Sequence, residues 1–151
     1  MNTVEKQKFV LMLPPVSATG GAHSGNTYVD TEGWGHLRVL IITGSLGANA
    51  GSTDSSTAPK LEECDTSGGS YSDVASAALA SVLTGTTENN MLFAIDVNLN
   101  KSHKRYMRVN APTAGAGACL LSIVGILSDR IAGPPFGGGA TAAGLQEKIS
   151  A

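Results

Sequence analysis

Charge, aromatic rings and cysteine are all in short supply in this chain of 151 residues. Only 15% of its residues are charged, the net charge is −2 and the pI lies near 5.8, whereas a domain that grips polyanions along its length is strongly basic. A general nucleic-acid binder is therefore excluded, and any anion contact has to be local. Cys64 and Cys119 stand far apart and in no CxxC or Cys/His cluster. Neither a disulfide framework nor a zinc site is indicated, and both are expected as free buried thiols. Long apolar runs are missing as well. Phe9 to Leu13 is stopped by Pro14 and Pro15 and is too short for a signal-peptide core, and Ala118 to Leu127 is about half the roughly 20 residues that span a bilayer. The expectation is a soluble protein made in the cytoplasm, with no membrane contact.

Catalytic signatures are absent too. The Gly-rich stretch ITGSLGANAGSTDSS follows a strand-like run but matches neither GxGxxG nor GxxxxGK[ST], and Ser45 has Thr43 where a nucleophile elbow needs glycine. His23, His36 and His103 are isolated, without paired metal-ligand spacing. The expectation is no enzyme, no cofactor and no metal site.

What is present is a β-rich composition: 19 Gly with abundant Ala, Ser and Thr, hence short strands and tight turns. A chain of this length folds as one domain that buries about two thirds of its unfolded surface. Lys8 to Leu13 reads as a first strand ended by the proline pair, and Asn26 to Asp30 as a short one. His36 to Thr43 is apolar in both parities from Val39 to Ile42, which predicts a central strand with both faces covered. Gly44 to Pro59 is a polar loop, Lys60 to Asp65 a strand, and Tyr71 to Val82 a helix opening at Ser72 or Asp73, or else an irregular loop. Met91 to Leu99 alternates cleanly; Lys104 to Asn110 is expected to pair with it in an antiparallel hairpin through the turn NKSH. Cys119 to Leu127 is a last core strand. Leu37, Val39, Ile41, Phe93, Ile95, Val97, Leu121, Ile123 and Ile126 are the expected core. The whole is an all-β antiparallel sandwich or small barrel of about 7 or 8 strands spanning 1–131, followed by a flexible Gly/Ala/Pro-rich tail or arm, 132–151.

Four of the ten Lys and Arg residues, Lys101, Lys104, Arg105 and Arg108, fall within eight positions around His103. Three readings are open: charges guarding a strand edge, contact with an acidic protein surface, or contact with nucleic acid, for which Tyr106 is the one aromatic at hand. Trp34, flanked by Gly33 and Gly35, is either a plug at the end of the core or an interface anchor. Glu62, Glu63 and Asp65 read as a solvated edge or turn entry, or as an acidic contact.

Several phrases together, VDTEGWGHLRVLIITG, KLEECD with YSDV soon after, NNMLFAIDVNLNKSHKRYMRV and AGACLLSIVGILSDR, resemble small structural proteins of tailed bacteriophages of the capsid decoration (cement) type. The likeness runs from about Lys8 to Arg130 and rests on Leu13 to Pro15, Val29 to Gly33, Leu61 to Asp65 and Lys104 to Tyr106. Cys64, where a small polar residue is usual, and the long Gly44 to Pro59 loop depart from it. The resemblance implies a virion protein, made in the host cytoplasm, that binds the major capsid protein on the outer head surface and stabilises the shell as a homo-oligomer, dimer or trimer. Lys101, Lys104, Arg105, Arg108 and Trp34 would make the contacts. A tail or connector component is the main alternative, and a host- or carbohydrate-binding module a further one.

Overall fold

A computed structural model describes residues 7–18, 27–50, 58–111 and 117–130. These form eight strands: β1 (Lys8–Ala18), β2 (Val29–Asp30), β3 (Trp34–Leu46), β4 (Lys60–Cys64), β5 (Ser72–Ala78), β6 (Leu92–Asn98), β7 (Tyr106–Asn110) and β8 (Cys119–Arg130). The first sheet has the order β1-β8-β3-β6 and the second β2-β7-β4-β5, with every pairing antiparallel. One apolar cluster joins Val10, Met12, Leu37, Ile41 and Ile123 of the first sheet to Val29, Leu61, Met107 and Val109 of the second. The fold is an antiparallel β-sandwich. Among the described residues no helix is long and apolar enough to cross a membrane.

Seven of the nine expected core residues are buried: Leu37, Val39, Ile41, Ile95, Val97, Leu121 and Ile123. Phe93 is half-buried against the core. Ile126 is on the wrong parity. In β8 the inward positions are Leu121, Ile123, Gly125 and Leu127, and at Gly125 a Cβ would stand 3.1 Å from Met12 Sδ and 3.2 Å from Val29 Cγ2. The second sheet approaches so closely there that the inward slot must be empty, and Ile126 turns outward.

The expected hairpin does not form. β6 pairs with β3 in the first sheet, while β7 lies between β2 and β4 in the second, so 99–105 crosses between sheets. Period-2 alternation fixes which residues face the core but not which strand lies alongside. The Tyr71 to Val82 segment holds a strand rather than a helix or a loop. Its pairing shifts register between Lys60 and Glu62, and Ser76 takes φ 61° in the bulge. β1 continues through Pro14 and Pro15 instead of ending there, which an edge strand with two register shifts tolerates. β3 is internal as expected, but its outer face is not covered among the described residues: Ile42 is 40% exposed. Both cysteines are free and buried. The 132–151 tail and the middle of the Gly44 to Pro59 loop lie outside the described residues.

Candidate functional site

The VDTEG stretch makes a turn that organises the basic segment. Asp30 Oδ1 accepts the Glu32 N–H at 3.1 Å, the Trp34 N–H donates to Thr31 O at 3.1 Å, and Gly33 supplies the φ of 80° that this turn requires. Thr31 then holds the far segment: its N–H and its hydroxyl both donate to Arg105 O, at 2.9 and 2.7 Å. Arg105 forks onto Asp30, Nε to Oδ1 at 2.9 Å and Nη2 to Oδ2 at 2.8 Å, and reaches Glu32 Oε2 at 2.7 Å. The bidentate hydrogen bond from Arg105 is the main reason the Asp30 carboxyl is held below the usual carboxylate range, against a smaller opposing effect of burial. The same bond raises the Arg105 guanidinium further above its already high value.

Farther along β7, Arg108 Nε donates to Glu62 Oε2 at 2.9 Å and Asn110 Nδ2 to Oε1 at 2.7 Å. Glu62 is only 8% exposed, although it points to the outer face of the second sheet. The Arg108 guanidinium lies 4.1 Å above the Tyr71 ring, whose phenol burial pushes up in pKa despite the nearby positive charge. Tyr106 carries Arg105 at 5.2 Å and meets Tyr28 edge to face, also at 5.2 Å between centroids. All three tyrosines of the chain thus stand on one surface with two arginines.

At the end of the sandwich, Glu63 Oε2 lies 3.1 Å from His103 Nδ1 and accepts the Lys104 N–H at 3.1 Å, while Lys104 Nζ donates to Ser72 Oγ at 3.1 Å. Lys101 is exposed and makes no ion pair among the described residues. Three of the five sequence-predicted contact residues, Trp34, Lys104 and Arg105, line one open cleft of about 410 Å³ with Thr31, Glu32, Gly33, Leu99 and His103. Trp34 is itself 8% exposed, with Arg130 over its ring at 5.8 Å, and so closes the end of the core.

The basic segment is therefore not a bare patch of positive charge. Asp30, Glu32, Glu62 and Glu63 answer it from β2, its following turn and β4. Glu62 and Glu63 sit on an internal strand, not on the solvated edge or turn entry expected from KLEECD. No sequence spacing links Glu62 to Arg108, 46 positions away; only the β4–β7 register does.

The outer face of the first sheet is different. Phe9, Ile126, Arg38 and Asp96 form one row across the strands, Leu11, Val124, Leu40 and Ala94 the next, and Ser122, Ile42 and Leu92 a third. Leu92 is 61% and Leu120 46% exposed. An ion-paired spot lies at the end of this face, where Arg38 forks onto Asp96 at 2.7 and 3.3 Å and His36 Nε2 approaches the same carboxylate at 3.3 Å. The signal for this face was the two-parity apolar run of β3, which equally fits a face covered within the chain. The chain matches no protein-family model, and no curated protein matches it.

Proposed function

We propose that this chain is a bacteriophage capsid decoration protein, which binds the outer surface of the assembled head through the arginine and tyrosine face of its second sheet and stabilises the shell. The observation that carries this reading is the pre-ordered state of that face: Arg105 is fixed by Asp30 and Glu32, and Arg108 by Glu62 and Tyr71, before any partner arrives. Side chains already locked in place lose little conformational entropy on binding, and Tyr and Arg are the residue types that anchor protein interfaces. The resemblance to cement proteins in Val29 to Gly33 and Lys104 to Tyr106 falls on the two segments that build this face.

Local charge balance favours a protein surface over nucleic acid as the partner. A phosphate backbone would have to displace carboxylates that already hold the guanidinium forks, whereas an interface can extend the same networks by further hydrogen bonds. Tyr28 and Tyr106 are at 88° to each other and offer no shared flat face, which weighs against a stacking sugar site. The test is mass spectrometry of purified particles. A cement protein is expected at a fixed, high copy number relative to the major capsid protein. A few copies per particle would indicate a tail or connector part, and absence from particles would end the virion reading.

A further inference from the structure

A sandwich of two open sheets has four edge strands, and three of them are blunted. β1 carries Pro14, Pro15 and two register shifts, β2 is two residues long, and β5 is bulged with Ser76 at φ 61°. β6 has none of these devices. It pairs with β3 in seven unbroken steps from Asn98 to Leu92, and it contains no Pro, Gly, Lys or Arg. Its single charge, Asp96, is already neutralised by Arg38.

The free side of β6 can be read residue by residue. Thr43 N–H donates to Met91 O and Leu99 N–H to Gly35 O, so the hydrogen-bonded pairs with β3 are those of odd-numbered β6 residues. Leu92, Ala94 and Asp96 therefore aim their N–H and C=O groups away from β3. Among the described residues no hydrogen bond answers them. Their side chains lie on the outer face, where Leu92 and Ala94 are exposed beside Ile42.

We propose that β6 pairs antiparallel with β6 of a second copy of this chain, about a two-fold axis, to make one eight-stranded sheet. The second copy is the fitting occupant for three reasons. Unpaired strand groups are satisfied by another strand, and on the described residues the only such edge each copy offers is its own β6, so pairing closes at two copies and does not run on into a filament. Any two-fold register centred on Phe93, Ala94 or Ile95 matches the free even-numbered residues to each other, keeps both outer faces on the same side, and sets neither Asp96 opposite its counterpart. Finally, the register centred on Phe93 sets Leu92 of each copy beside Ala94 of the other on the outer face and covers part of a side chain that is 61% exposed in one copy.

The pairing stands without the capsid reading and is tested apart from it. Light scattering of the full chain in solution at about 100 μM, where associations of micromolar strength are complete, is expected to give twice the chain mass. Ala94→Pro removes an N–H that faces away from β3, which an edge strand tolerates, and Leu92→Lys places a charge on the edge. Both variants are expected to be monomers with unchanged circular dichroism. A wild-type monomer or trimer, or folded variants that remain dimers, would overturn the proposal. Should the variants fail to fold, hydrogen exchange of the wild type decides: amides of Leu92, Ala94 and Asp96 are expected to gain protection with rising concentration, and concentration-independent exchange there sinks the idea. A monomer that still binds particles overturns the pairing alone; a dimer that binds none overturns the capsid reading alone.

Discussion

The two outer faces of the sandwich are each four strands wide and antiparallel, and they are opposite in chemistry. On the second sheet, Glu62 with Arg108 and Asn110, and Asp30 with Arg105, answer nearly every charge from a neighbouring strand. On the first, Leu11, Leu40, Ile42, Leu92 and Val124 lie in rows, Ile42 and Leu92 exposed and the other three half-buried. An antiparallel sheet ordinarily keeps one face on the core and one polar face in water. The second sheet follows that rule with a refinement, since its polar groups are tied to each other. The first sheet departs from it, with Ile42 and Leu92 exposed on its outer face.

Neighbouring residues of β3 give the largest test of this contrast. Ile41 is fully buried and Ile42 is 40% exposed on the other face. Ile41→Ala is expected to cost about 2 to 5 kcal/mol in denaturant unfolding, through lost burial and a cavity. Ile42→Ala should cost less than about 1 kcal/mol, the scale of a cross-strand contact. Comparable costs would mean that the outer face is packed rather than open.

A smaller effect is expected on the charged face. Arg108→Ala leaves the Glu62 carboxylate, 8% exposed, with Asn110 as its remaining partner, at a cost of about 1 to 3 kcal/mol. Replacing Glu62 and Arg108 together by Leu should recover most of that loss, because no charge is then stranded. The double variant would carry two apolar faces, so added self-association is the expected by-product. If the double variant is as unstable as the single one, the pair is not what the arginine contributes.

The smallest effect is that of Asp30, and it depends on pH. Its folded-state pKa is depressed, chiefly by the hydrogen bond from Arg105. The carboxylate therefore contributes stability above the ordinary carboxylate range and loses it as the pH falls through the lower, folded value. Asp30→Asn should be less stable than wild type at neutral pH, and the gap should close in acid. A gap that widens in acid would contradict the assignment.

Much of the sandwich could be read from the sequence because burial leaves a period. Leu37, Val39 and Ile41, then Ile95 and Val97, announce their faces by alternation. Pairing leaves no such trace, which is why β6 and β7 were expected to be partners and are not. Gly125 hid the inward parity of β8, since a close approach of sheets looks in sequence like a gap. The basic cluster was visible, but its neutralisation by Asp30, Glu32 and Glu62 was not, because those contacts exist only once strands distant in sequence are side by side. For the first sheet, an exposed apolar residue such as Ile42 is written the same way as a covered one such as Ile41.

The most direct measurement of the proposed decoration role is an add-back titration of the protein onto phage heads assembled without it. Wild-type protein is compared with a Tyr28→Ala, Lys101→Ala, Lys104→Ala variant whose unfolding is shown to be unchanged. Tyr28 is 41% exposed, so its ring is open to a partner. Wild type is expected to saturate at a fixed ratio to the major capsid protein, and the variant to bind about tenfold or more weakly, as loss of an interface anchor requires. Equal binding by the two proteins would show that Tyr28, Lys101 and Lys104 do not meet the particle, and a lack of saturable wild-type binding would contradict the decoration role itself.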